Sequence, residues 1–373
     1  MTPKDIKPIG SLRSADEWDS SILLGNRFLC RGGSCLINGR TGIGKSSAIM
    51  QMALHFAVGR GCFGIKPSRG WPLTSLIIQA ENDDGDLAEM RDGILAGLPW
   101  EECEKEAARK NVYIVTINDA TGHEFCAQLE RAAQHVMADL VWGDPLLSFM
   151  GGDVMRQADT TEFLRGGLQP ILSRNDFGLI MCHHEPKPPR QDGRNSWSDA
   201  DHAYAGSGSS ELANWARGVL SLTPVPDAAG AFKLIGAKRG SRLGWRNHLG
   251  SPTSTRYLRH AADGTIHWEE IDQPEPVKKE PRHTRDDLLA HVPKNGTIPK
   301  STLIENASKK TNAKPIGRNT VRAYLDDLIH NGVVFEHEKA RPGTNALKLI
   351  SRQPPPSSEG EQNDAKSNQK TKG

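Results

Sequence analysis

The residues that most constrain chemistry are Gly39-Arg40-Thr41-Gly42-Ile43-Gly44-Lys45-Ser46, which satisfy G-x-x-x-x-G-K-[ST] at every fixed position. Glycines at these places let a loop curl so that successive backbone N–H groups face phosphate oxygens. A helix opening at Lys45 adds the positive end of its dipole. Lys45 then carries charge to the β- and γ-phosphates, and the Ser46 hydroxyl is a ligand for Mg2+. Ser47 continues the same turn. The spacing predicts a nucleoside-triphosphate site at residues 39–47, with ATP and Mg2+ as cofactors.

Four more groups sit where short apolar runs end. Asp144 closes Leu140-Val141-Trp142-Gly143 and is placed to hold Mg2+ beside the phosphates; Asp139, ahead of that run, is the weaker candidate. Glu81 follows Leu76-Ile77-Ile78-Gln79-Ala80. A carboxylate at the end of a neighbouring strand can orient and deprotonate an attacking water. Asp83 or Asp84 reads instead as an N-cap for the helix that follows. His183 and His184 end another run. Adjacent strand residues point to opposite faces, so only one can sense a γ-phosphate, and the pair is a poor joint metal site.

These side chains need a sheet to align them. Runs at Cys35–Asn38, Ser75–Ala80, Asn111–Thr116, Leu140–Trp142 and Leu179–Cys182 are too short for buried helices and read as buried parallel strands. Helix-length stretches lie between them, among them Lys45–Val58 and Glu124–Met137, the latter with Phe125, Leu129, Ala132, Ala133 and Val136 at helical spacing. Alternation of this kind predicts an α/β fold with a parallel sheet covered on both faces. Ser221–Thr223, Phe232–Ala237 and Tyr257–Ile271 read as strands that close the sheet, antiparallel pairing being one option.

Composition narrows the classes. With 373 residues, 25% charged and 36% hydrophobic, the chain is neither collagen-like nor wholly disordered. No apolar run approaches the roughly 18 residues of a membrane helix. The start, Met1-Thr2-Pro3-Lys4-Asp5, lacks a signal-peptide pattern, which predicts a cytoplasmic protein without membrane contact. Six cysteines show no C-x-x-C pair, so Cys126 and Cys182 read as small core residues. The net charge of +2 conceals an asymmetry: residues 276–352 carry 15 Lys/Arg against 8 Asp/Glu, residues 1–275 carry 29 against 34. A basic C-terminal module suggests a nucleic-acid partner.

The domains follow from these shifts. Residues 1–272 form the large α/β domain, with 1–24 as an N-terminal extension. Residues 273–283 are a Pro- and charge-rich linker, 284–351 a small domain, and 352–373 a disordered tail. The small domain reads as three helices (Arg285–Val292, Lys300–Lys310, Gly317–Asn331) and a two-stranded hairpin from Val333–Glu336 and Ala346–Ile350: a winged helix-turn-helix. Arg318, Asn319 and Arg322 near the start of the third helix, opposite Val321, Leu325 and Leu328, suit duplex DNA.

Gly39–Ser46, Ala80-Glu81-Asn82-Asp83, Asp144-Pro145 and His183-His184, in this order, resemble the RecA-like AAA-type P-loop ATPases, especially the hexameric branch of plasmid RepA-type and DnaB-type replicative helicases. The resemblance covers about residues 22–245 and lacks the separate N-terminal domain of DnaB-type proteins. It implies Glu81 as catalytic base and His184 at the phosphate-sensing position. It implies a channel loop over 185–205 that grips single-stranded DNA through Lys187, Arg190, Arg194 and Trp197. Gly206–Leu212 resembles a helix start capped by Ser209 or Ser210. Lys238 or Arg239 would be the basic finger reaching a neighbouring subunit's nucleotide, and Arg217 would either reach a phosphate as a further cation or pair with a surface carboxylate. Relatives separate the two cations by one residue; here they are adjacent. The function implied is an ATP-hydrolysing DNA motor or remodelling ATPase in a homo-oligomeric, hexameric ring, resembling a replicative helicase of a mobile element. The alternative is a nucleotide-switched DNA-binding regulator that separates no strands.

Overall fold

A computed structural model describes residues 6–12, 19–185, 199–204, 206, 208, 210–226, 228–262, 265–275, 283–309, 315–342 and 344–354. The chain divides into two compact units, Met1–Val277 and Lys278–Gly373, with the division inside the Pro- and charge-rich stretch.

The first unit opens with a small antiparallel pair, β1 (Ile22–Leu24) and β2 (Leu29–Cys30). Leu23 and Leu24 are buried, so the core begins inside the segment set apart above as an extension. The main sheet has six parallel strands: β3 (Ser34–Gly39), β4 (Ser75–Gln79), β5 (Val112–Thr116), β6 (Leu140–Asp144), β7 (Gly178–His184) and β8 (Gly218–Pro224). Antiparallel β9 (Ala231–Lys238), β10 (Thr255–His260) and β11 (Trp268–Ile271) extend it, giving the order β11-β10-β9-β8-β3-β7-β6-β4-β5 among the described residues.

Helices cover both faces because strand residues alternate between two cores. Ile37, Ile77, Trp142 and Ile180 pack with α1 (Lys45–Ala57), α2 (Asp84–Gly97) and α3 (Glu102–Asn111). Leu36, Ile78, Val141 and Met181 face α4 (Gly122–His135), α5 (Leu146–Met150) and the segment of α6 (Gln157–Thr161), a π-helical stretch Glu162–Leu168 and α7 (Gln169–Arg174). The short helices α8 (Asp199–Ala203) and α9 (Glu211–Trp215) precede β8. Local signals fix the ends: the Asp83 carboxylate caps α2 by accepting from Asp86 N at 2.9 Å.

Three strand expectations change. β5 is the sheet edge and leaves Tyr113 and Ile114 exposed at 43% and 41%, so it is not a buried strand. The strand containing Ser221–Thr223 is parallel to β3, and antiparallel pairing starts only at β9. Tyr257–Ile271 is a hairpin, because the chain turns between His260 and Trp268.

The second unit contains α10 (Arg285–Leu289), β12 (Ile298–Pro299), α11 (Lys300–Ala307), α12 (Arg318–His330), β13 (Phe335–Arg341) and β14 (Thr344–Ser351), with antiparallel order β12-β14-β13. Leu288, Leu303, Val321, Leu325 and Ile350 form its core. The first two helices are shorter than the periodicity suggests. The first hairpin strand starts at Phe335, because Val333 N bonds Leu328 O at 2.9 Å and so finishes the α12 turn. The third strand, β12, is two residues long and carries no period to read.

Candidate active site

The loop between β3 and α1 lies at the carboxyl edge of the parallel strands, flanked by β7 and β8. Gly44 sits at the N-cap of α1 with φ +87° and no side-chain cap, which leaves the first N–H groups of the helix for an anion. A Cβ at Gly44 would come within 2.8 Å of Trp268 and 2.9 Å of His260, so glycine is required for packing as well as for conformation.

Lys45 is almost wholly buried and folds back on its own loop. Its Nζ donates to Gly39 O and Arg40 O, both at 2.9 Å, and lies 3.0 Å from His184 Nδ1. Burial lowers its pKa, opposed by the charges of Asp144, Glu185 and Glu81 among others. All three carboxylates are therefore electrostatic neighbours of the one lysine.

His184 also has Thr41 Oγ1 at 3.3 Å from Nδ1. Its pKa is lowered, first by burial and then by the Lys45 charge, so the ring is neutral near pH 7. An ammonium can only donate, so Nδ1 accepts and Nε2 carries the proton, a tautomer assigned from the hydrogen-bond network. His183 takes the opposite face. It is 1% exposed and packs where a Cβ on Gly206 would meet its ring at 2.5 Å. Of the two adjacent histidines, only His184 reaches the loop, and His183 is corrected to a packing position.

Asp144 is buried at the end of β6, where burial and then the Asp144 charge push the Cys182 thiol well above its ordinary pKa. Asp139 instead pairs with Arg31 at 2.7 Å and accepts from Thr74 N, a structural tie at the other end of the strand. Glu81 is exposed just beyond β4. That strand is not a neighbour of β3: β7 and β6 intervene, a lateral offset of about 14 Å. Arg40, Thr41, Gly42, Ile43, Ser46 and Ser47 occupy the loop and first helical turn. Ser47 is tied down, donating to Gly44 O at 2.9 Å and accepting from Trp268 Nε1 at 3.0 Å.

The donor set fits Mg2+: one hydroxyl (Ser46), one buried carboxylate (Asp144) and an anion-ready loop, since this cation keeps waters and phosphate oxygens as its other ligands. Among the described residues no group of three or more His, Cys, Asp or Glu is arranged to hold a metal by itself.

The basic residues fall elsewhere. Lys238 Nζ donates to Ala213 O and Ala216 O, both at 2.7 Å, closing the C-terminus of α9 in its own subunit. Held in this way, Lys238 does not project as the sequence reading expects, and Arg239 is the other candidate of that reading. Arg239 has φ +60° and its pKa is lowered by burial and then by the charges of Arg242 and Arg217. Arg217 is exposed, immediately before β8. Ser210 occupies the N-cap position of α9 without a side-chain cap bond. Ser209, Lys187, Arg190, Arg194 and Trp197 lie outside the described residues; within 185–205, Asp199–Ala203 is helical. Arg318, Asn319 and Arg322 are exposed on α12, opposite its buried Val321, Leu325 and Leu328.

Several participants escaped the sequence. Glu185, directly after His184, is buried and accepts from Ser221 Oγ at 3.1 Å. Gln51 is buried in α1 and exchanges two hydrogen bonds with the Trp268 backbone, at 2.9 and 2.8 Å. Phe232, His260 and Trp268 form an aromatic cluster beside Gly44. Only the Glu185 position carried a signal, a carboxylate one residue beyond a strand end.

The first unit therefore has a RecA-like P-loop core: a mostly parallel sheet, helices on both faces, and a phosphate loop at the strand ends. Residues 19–190 match the family model of the AAA domain, a finding in line with a core of the P-loop ATPase type. No curated protein matches the chain. No helix of the described residues is long and apolar enough to cross a membrane.

Proposed function

We propose that the chain is an ATP-hydrolysing DNA motor or DNA-remodelling ATPase that works as a homo-oligomeric ring, in the manner of RepA-type helicases. The carrying observation is the placement of Arg217 and Arg239. Val219 pairs with Lys238 and Cys35 with Gly218, so both arginines lie at the amino edge of β3 and β8. β3 alone spans about 17 Å, which keeps them from the nucleotide of their own subunit. Cations so placed suit the nucleotide of a neighbouring copy, where Arg239 offsets charge developing on the transferred phosphoryl group.

In this reading Lys45 leaves the Gly39 and Arg40 carbonyls for the β- and γ-phosphates. His184 donates through Nε2 to the γ-phosphate and reports its loss. Glu81 orients the attacking water and takes its proton. Ser46 and Asp144 would hold Mg2+, which would supply charge neutralisation at the phosphate oxygens. The exposed side of His260 and Phe232 offers a stacking surface for the base. The second unit acts as a winged helix-turn-helix, with Arg318, Asn319 and Arg322 meeting duplex DNA. Single strands pass the ring interior near Lys187, Arg190, Arg194 and Trp197.

The test is steady-state ATP hydrolysis over a range of protein concentrations, with and without single-stranded DNA. A rate that rises more than linearly with protein and further with single strands supports the motor. A slow rate indifferent to single strands overturns it in favour of a nucleotide-switched DNA-binding regulator, which the cationic face of α12 would then serve.

A further inference from the structure

A cavity of about 640 Å³ lies far from the P-loop, at the amino edge of the sheet. Its walls come from the β1–β2 turn, the loop after α1, the turn after β9 and the start of β10. Arg27, Lys66, Arg69 and Arg256 line it, and no carboxylate does among the described residues. Asp19 pairs with Arg27 and Glu270 with Arg256, the latter at 3.3 Å, from outside the lining.

Two donors in this wall lack acceptors. Trp245 is 2% exposed, yet its Nε1 has no hydrogen-bond partner among the described residues, and neither does the buried Nε of Arg256. Both lie against the backbone of Gly64: a Cβ there would stand 2.8 Å from Trp245 Nε1 and 2.8 Å from Arg256 Nε, and Gly64 has φ +69°, so a glycine is what lets the two donors sit side by side in this wall. An indole N–H and a guanidinium can only donate, so what satisfies them is an acceptor, and four lining cations, set against the two carboxylates that pair with Arg27 and Arg256 from outside, favour an anion. Leaving such donors buried and unpaired costs about 1–3 kcal/mol each, a penalty an oxyanion would relieve.

We propose that this cavity is a second phosphate-binding site, taking a phosphate-bearing ligand of more than one phosphate group, with Trp245 and Arg256 as donors in its wall and Lys66 and Arg69 as flanking charge. Arginine forks and an indole N–H match phosphate oxygens, and the volume exceeds what one small anion needs. The proposal stands apart from the motor reading: the 13-residue α1, about 20 Å long, separates this cavity from the P-loop.

The experiment uses the full chain carrying Lys45→Ala, which weakens phosphate binding at the first site. Inorganic pyrophosphate is titrated at low salt by calorimetry, with tryptophan emission followed in parallel. Trp245→Phe and Lys66→Gln, each added to that background, should weaken binding about tenfold, the worth of one charge-assisted hydrogen bond. Trp245→Phe should also abolish the emission change. Circular dichroism identifies any variant that misfolds, and the exposed Lys66→Gln keeps the test decisive. Competition by a short oligonucleotide would give the source as a polynucleotide backbone; competition by ADP alone would give it as a nucleotide. Absence of pyrophosphate binding in the Lys45→Ala chain, or binding that neither added substitution changes, would overturn the proposal.

Discussion

Replacing Gln51 with methionine tests whether the last hairpin clamps the phosphate loop. The swap nearly conserves volume and shape but removes both side-chain polar atoms, stranding the Trp268 N–H and C=O where Gln51 and Trp268 are each 2% exposed. At about 1–3 kcal/mol for each orphaned group, a loss near 3 kcal/mol follows. With a urea slope of about 3 kcal/mol/M for a unit this large, the midpoint should fall by about 1 M. All eight tryptophans lie in the first unit, so their fluorescence reports its unfolding without interference from the second. Because Trp268 Nε1 holds Ser47, which in turn holds Gly44 O, ADP affinity should fall as well. A midpoint within about 0.2 M of the parent would refute the reasoning, since the backbone groups would then be finding water.

Three further outcomes are expected. Lys238→Met should cost about 2 kcal/mol in urea unfolding by exposing the α9 carbonyls, while ATP turnover survives; abolished turnover at unchanged stability would restore Lys238 as a trans finger. His184→Gln should remove an acid limb that the parent shows in kcat/KM below the ordinary imidazole range, because burial and Lys45 keep His184 neutral until the pH falls past its lowered pKa; a limb that persists would clear His184 of that role. Burial pushes the His55 imidazole down to about 4 from its ordinary 6.5, so the unfolded chain takes up a proton that the fold refuses. Unfolding free energy should therefore drop by up to about 3 kcal/mol between pH 7 and 4, a slope that His55→Phe flattens and that urea titrations at both pH values would detect.

How much could be read in advance depended on sequence distance. The phosphate loop is legible because its chemistry sits in eight consecutive residues, and the Asp83 cap because it acts three residues away. Strand ends gave Asp144, Glu81 and His184 for the same reason. Strand order is different: nothing in Leu76–Gln79 says that β4 stands three places from β3, or that β5 is an edge, since an apolar run looks alike in both positions. The clamp from Trp268 to Ser47 joins residues 221 apart, and no local pattern announces it. Lys238 reads from the sequence as a projecting strand-end lysine, whereas the fold brings the Ala213, Asn214 and Ala216 carbonyls to it, a meeting no local pattern announces.

Helix α1 has almost no solvent side: eleven of its thirteen residues are buried, around its whole circumference. Packed cores resist compression and pass displacement on. A rod packed on all sides couples its two ends, so a displacement of Lys45 at the phosphate loop would carry to the turn beyond Ala57 that leads to Phe63 and Gly64.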